Sequence, residues 1–206
     1  MLGQNLRKVI VLFALGALGI ATIGAVGAAS TPDSGWTIPG QNRHSIETLR
    51  FDVAEDMTRF AFDPDNTFEE DGMPSHGSYF VTQGYIYPEG TLNGSNGVNP
   101  DGSPEFPDQV IGSWTCYGTF IGDGAHATTG AWVVTTQIYN FGAAYGDSMI
   151  VTDGFELADT GVSIERAITG GTDEYANARG AAEQVFLGFN ASEGVNISFE
   201  LSVDMR

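Results

Sequence analysis

The sequence predicts an all-β domain, either a sandwich or a closed barrel, built of about eight short antiparallel strands. Three observations carry that prediction. Apolar residues recur with period two from Ile46 onwards, which is the signature of half-buried strands. Gly, Asn, Asp and Pro punctuate the chain at regular intervals between these runs. No stretch after the first thirty residues or so sustains a helical period, and a glycine interrupts nearly every long run.

In chain order, the first candidate strand is ETLRFDVAED, where Leu49, Phe51 and Val53 alternate with Arg50 and Asp52. SYFVTQGYIY, VIGSWTCYGTFI, AWVVTTQIYNF and DSMIVTDGFEL follow, then GVSIERAIT, ARGAAEQVFLGF and VNISFELSV. The last is the most regular. Ile197, Phe199, Leu201 and Val203 share one face, and Asn196, Ser198, Glu200 and Ser202 share the other. A closed barrel leaves no strand edge open to aggregation, which suits an exported chain with a lone cysteine, Cys116, and hence no internal disulfide. A lone cysteine within a strand reads as a small buried hydrophobe.

Three other segments complete the organisation. Residues 1–29 read as a secretory leader, with Arg7 and Lys8 before an uncharged apolar run and small residues Gly27, Ala28 and Ala29 at the expected cleavage point. An uncleaved anchor is the competing reading, since the run is long enough to span a bilayer. Residues 30–45 form a linker or arm rich in Pro, Gly and Ser, and the barrel domain is placed at 46–206. From Pro88 to Asp108 the chain is a long loop dense in Gly, Asn and Pro, a functional lid or a mobile ornament.

Charge excludes some partners. The formal net charge is −18, and the clustered cations Arg7 and Lys8 both lie in the expected leader. Such a surface repels phosphate backbones and anionic bilayers, so neither nucleic acid nor stable membrane association after cleavage is expected. Metal sites are not expected either. DPDNTFEEDGMP approaches a calcium loop, but Phe68 stands in place of its glycine and Pro74 in place of its closing Glu. His44, His76 and His126 lie in polar or Gly-rich surroundings, with no serine elbow and no paired-histidine spacing. No dinucleotide fingerprint is present, and no cofactor is expected. Asn93, Asn190 and Asn196 open Asn-x-Ser triplets, which recur by chance.

The most specific stretch is AITGGTDEYANARG. Gly170 and Gly171 permit a tight reversal, Thr172 and Asp173 can cap it, and Ala178 and Gly180 leave room for a neighbouring strand. No helix follows and no Lys is at hand, so this is turn chemistry rather than a phosphate loop. The order of an apolar strand, Gly170-Gly171-Thr172, a polar pair, Tyr175, Ala178-Arg179-Gly180 and a long apolar strand resembles the corresponding hairpin of dirigent proteins and of bacterial members of the allene oxide cyclase-like barrel superfamily. GYIYPEGTL and GSWTCYGTFIG extend the resemblance, which runs from Gly77 to Val203. It implies an eight-stranded antiparallel barrel with an apolar cavity, assembled as a dimer or trimer. It also implies chemistry that works by holding a flexible substrate in one conformation. Dirigent proteins place acidic residues and an arginine at the barrel mouth. The resemblance assigns that part to Arg179 with Glu174 or Asp173, although dirigents commonly carry glycine at the position of Asp173.

Further candidates come from the residues themselves. Arg166 lies in line with Val162, Ile164 and Ile168, and Glu183 with Ala181, Val185, Leu187 and Phe189. A charge inside a barrel requires a partner, so the two are expected either to meet as a catalytic pair, to meet a ligand, or to sit at wetted strand ends. Tyr117, Thr119, Thr135, Gln137 and Tyr139 either anchor a ligand in the cavity or form a half-solvated outer face. Cys116, Tyr117, Tyr139 and Tyr175 join Asp173, Glu174 and Arg179 as candidate ligand contacts. Two functions are expected: an exported module that carries a hydrophobic small molecule or serves a structural role, and a cofactor-free cyclase- or isomerase-like enzyme. Export, and the lack of a decisive acid–base set, favour the first.

Overall fold

The computed structural model describes residues 45–205; the expected leader and the arm up to residue 44 lie outside the described residues. Eight strands close into one barrel in sequence order: β1 (Ser45–Phe62), β2 (Tyr79–Pro88), β3 (Gly112–Phe120), β4 (Ala131–Asn140), β5 (Met149–Leu157), β6 (Ser163–Gly171), β7 (Arg179–Phe189) and β8 (Val195–Met205). Every neighbouring pair is antiparallel. β8 closes on β1 from Ser45↔Met205 to Ala54↔Asn196. Between sandwich and barrel, the barrel is the outcome.

The interior follows the period-two pattern. Phe51, Val53, Ile197, Phe199, Leu201 and Val203 are buried, and β1 sets Phe51 against Phe199 and Val53 against Ile197. At the end that holds the β4–β5 and β6–β7 turns, which we term the hairpin end, the lumen is filled by rings. Phe51 lies 5.1 Å from Tyr139 and 5.4 Å from Phe199, and Phe141 lies 6.0 Å from Tyr175. Each such side chain contributes about 1.5–3 kcal/mol by leaving water. Tyr175, carried on the short 3-10 turn Asp173–Tyr175, belongs to this plug. The small residues around it have a steric reason: Gly180 has φ +138°, and a Cβ there would lie 1.9 Å from the Ser202 carbonyl oxygen on β8.

The opposite end, the loop end, carries the β1–β2, β3–β4, β5–β6 and β7–β8 connections. β1 is irregular between Asp56 and Ala61. Asp56 accepts hydrogen bonds from the Thr58 amide and hydroxyl and pairs with Arg59 Nε at 3.0 Å, which fixes the irregularity. Within it Phe60 stacks on Phe80 at 5.2 Å.

The long β2–β3 connection is neither lid nor ornament. It folds back along the outside of the barrel, where Leu92 and Val98 pack with Ala54 and Tyr87 as a second apolar cluster. Buried Tyr87 donates its hydroxyl to Gly97 O at 2.6 Å, Asp52 accepts the Leu92 amide, and Asn196 donates to Asn96 O. Val98 bridges to Pro104. The loop is a strap over the outer faces of β1, β2 and β8, and it explains the burial of the polar residues Asp52 and Asn196.

Candidate functional site

Between the aromatic plug and the loop end, inward positions become polar. Thr135, Gln137 and Tyr139 on β4, Thr152 and Glu156 on β5, Arg166 on β6 and Gln184 on β7 are all buried. They form one network. Glu156 accepts from Thr135 Oγ1 at 2.5 Å, Gln137 Nε2 at 2.8 Å and Gln184 Nε2 at 3.2 Å. Gln137 in turn accepts from Trp114 Nε1 at 3.0 Å and from the Tyr139 hydroxyl at 2.7 Å.

Arg166 closes the network with charge. It is 2 % exposed, and its Nη1 lies 3.8 Å from Glu156 Oε1. Its shorter contacts are to neutral oxygens: Thr152 Oγ1 at 3.3 Å, Phe155 O at 3.1 Å and Thr135 O at 2.9 Å. The register between β5 and β6 runs from Ile150↔Gly171 to Asp153↔Ala167, so the guanidinium joins β6 to β5 and β4 just past the last paired residues. Gly154 makes room for it, since a Cβ there would sit 3.2 Å from the Arg166 side chain.

Towards the loop end lies a cavity of about 50 Å³. Rings of Phe60, Phe80, Phe120, Trp114 and Trp132 wall it, with Val133 and Val195. Its polar groups are Glu55, Thr82, Cys116 and Glu156. Glu55 is 4 % exposed; its Oε2 accepts the Val195 amide at 2.8 Å, and no cation pairs with it among the described residues. Burial is the main reason its carboxyl is pushed up to about 7, with the charges of Glu156 and Asp56 adding to the shift. Cys116 Sγ lies 3.7 Å from Glu156 Oε1. Burial, then the Glu156 charge, hold its thiol well above the ordinary range, so it stays neutral and a poor nucleophile. Burial raises the Tyr139 phenol in the same way. The arrangement offers one poised carboxyl, one ion-paired carboxylate and amide dipoles beneath an aromatic wall. It can hold a polar head and exchange a proton with it.

The structure sorts the sequence candidates. Of the two placements the sequence left open, Arg166 takes the interior one, but Glu183 is not its partner. Glu183 is exposed on the outer face of β7 and accepts a hydrogen bond from Ser163 Oγ. The inward set is Ala182, Gln184 and Phe186. Both faces of β7 carry apolar residues, so alternation alone could not choose between them. Tyr117 and Thr119 belong to the outer face, where Tyr117 lies 6.4 Å from Tyr79; Thr135, Gln137, Tyr139 and Cys116 belong to the lumen.

Arg179 does not pair with Glu174 or Asp173. Its Nη1 donates to Thr169 O at 2.9 Å and Ala178 O at 2.7 Å. Asp173 instead accepts from Ser148 Oγ at 3.3 Å, because the 3-10 turn carries it towards the β4–β5 turn. Asp173, Glu174 and Arg179 are exposed at the hairpin end, across the barrel from the cavity. Tyr175 is buried in the plug and lines no part of the cavity. Of the Asn-x-Ser triplets, Asn190 and Asn196 are buried and only Asn93 is exposed.

Sequence reasoning missed Glu55 and Glu156. The signal was present for both. Extending the Leu49, Phe51, Val53 face by one step reaches Glu55, and extending Ile150, Thr152, Gly154 reaches Glu156.

No family model matches the sequence, and no curated protein does. Solved structures do match. The barrel superposes on two pterocarpan synthase dirigent proteins: GePTS1 at a TM-score of 0.53 and 15 % identity, covering 81 % of this chain and 88 % of that one, and PsPTS1 at 0.51 and 17 %, covering 78 % and 96 %. The barrel shares its fold with these two dirigent proteins. A pyocyanin demethylase is also similar, at a TM-score of 0.48 and 18 % identity over 76 % of this chain and 99 % of that one. The fold implied by the Gly170–Gly180 hairpin is therefore the one observed.

Proposed function

We propose that this protein is an exported barrel that binds a hydrophobic small molecule at its loop end. The observation that carries the reading is the aromatic-walled cavity that ends on a few fixed polar groups, the usual make-up of a small-molecule site. The cavity admits a polar head and leaves an apolar tail against Phe60, Phe120 and Trp132. Titration with 1-hexanol, followed by the fluorescence of Trp114 and Trp132, tests this. Saturable binding that Val133→Phe abolishes by filling the cavity is expected; no saturable signal with the wild type would overturn it.

A second reading, a cofactor-free enzyme of cyclase or isomerase type, is favoured by one observation. Glu55 faces the cavity with its carboxyl near neutrality, where a general acid or base works best. Two of the structural neighbours are named as synthases. The reading further includes removal of the leader on export and assembly as a dimer or trimer. In support, Tyr79, Val134 and Phe155 lie exposed along one row of the outer sheet, which an assembly would cover.

A further inference from the structure

The proposed ligand site has an electrostatic character that restricts what enters it. Two carboxylates, Glu55 and Glu156, reach one cavity, and the one buried cation near them, Arg166, is committed to Glu156 and to backbone carbonyls. Glu55 therefore faces the cavity without a countercharge among the described residues. Thr82, 1 % exposed and also on the cavity wall, makes no hydrogen bond of good geometry, although its hydroxyl lies close enough to Glu55 to favour the ionised form. Around these acceptors the walls are faces and edges of aromatic rings, whose π clouds attract cations once water is excluded. A metal ion would demand a shell of oxygen donors that these rings cannot supply.

We propose that the cavity is a receptor for a protonated amine: a primary or N-methylated ammonium head carried on an apolar tail. The proposal rests on the small-molecule reading above and narrows it to one chemical class. The ammonium supplies the charge that Glu55 lacks, donates to Glu55 and to Thr82, and lies among the rings. The cavity, of about 50 Å³, suits a small polar head rather than an extended polar ligand. A carboxylate head, as on a fatty acid, is excluded on charge. The strongly acidic surface concentrates cations near the barrel and adds to their association rate.

The test compares three probes of one shape, n-hexylamine, 1-hexanol and hexanoate, by isothermal titration calorimetry at about pH 8, where Glu55 is ionised and the amine protonated. Hexylamine is expected to bind at least ~10-fold more tightly than hexanol, and hexanoate not to bind, because a charge-assisted hydrogen bond to a buried carboxylate is among the stronger polar contacts. Glu55→Gln, which keeps the shape, is expected to reduce the amine-to-alcohol preference to about unity while hexanol binding persists. Equal or tighter binding of hexanol by the wild type would overturn the amine proposal and leave the hydrophobic-ligand reading standing. Failure of all three probes would overturn both. Retained amine preference in Glu55→Gln would overturn the assignment to Glu55.

Discussion

Replacing Arg166 by Met tests whether the buried network is held by charge. The substitution keeps most of the apolar stem and removes the guanidinium, and with it three hydrogen bonds to Thr152, Phe155 and Thr135. It also leaves Glu156, 6 % exposed, without the cation 3.8 Å away. Removing one member of a buried pair costs about 3–5 kcal/mol, because the remaining charge stays desolvated. For a chain of this size each kcal/mol lowers the melting temperature by roughly 2–4 °C, so the melt of Arg166→Met should fall by roughly 6–20 °C. Differential scanning calorimetry of the single variants and of Arg166→Met with Glu156→Gln completes a cycle. The double variant should recover about 1–3 kcal/mol relative to the sum of the singles, since a neutral amide no longer needs the cation. A loss below about 1 kcal/mol for Arg166→Met, or strict additivity, would refute an ionic network and leave Arg166 as a neutral staple between strands.

Three more outcomes follow from the same geometry. Glu55 has its carboxyl raised from 4.5 to about 7, so the folded state holds a proton that the unfolded state releases. Its stabilising contribution is fully present below about pH 4.5 and is lost as pH rises through about 7, a difference of about 3 kcal/mol, and Glu55→Gln should remove that slope from melting curves taken across this window. Gly180→Ala should cost more than about 2 kcal/mol, given its φ of +138° and the 1.9 Å approach to Ser202 O, whereas Gly170→Ala, whose nearest atom is 3.9 Å away, should stay within about 0.5 kcal/mol in urea melts. Tyr87→Phe removes the 2.6 Å bond to Gly97 O and should cost about 1–2 kcal/mol, with faster proteolysis between Glu89 and Val110; unchanged cleavage there would show that the strap is held by its apolar contacts alone.

The sequence alone determined the strands and their antiparallel order, because period-two burial is a local property; periodicity left sandwich and barrel both open, and it was the resemblance of the Gly170–Gly180 hairpin that implied the barrel. β8 could be read directly, with Ile197 to Val203 inward, since its two faces differ sharply in polarity. β7 could not, because Ala182 and Gln184 face inward while Val185 and Leu187 face outward, and only its neighbours decide which face is the lumen. The strap had no periodicity to read; its place was decided by apolar residues at Leu92 and Val98 finding Ala54 and Tyr87 on the outer face of the barrel. The site depended most on tertiary structure. Glu55 and Glu156 stand about a hundred positions apart, each at the end of an otherwise apolar face, and no spacing in the chain links them. They meet because the barrel closes, and closure also removes the water that would hold the Glu55 carboxyl at its ordinary acidity. Arg166 was readable as a charge that needs a partner if it lies inside the barrel. Which carboxylate would meet it was settled only when β5, two strands from β7, turned Glu156 inward and β7 turned Glu183 to solvent.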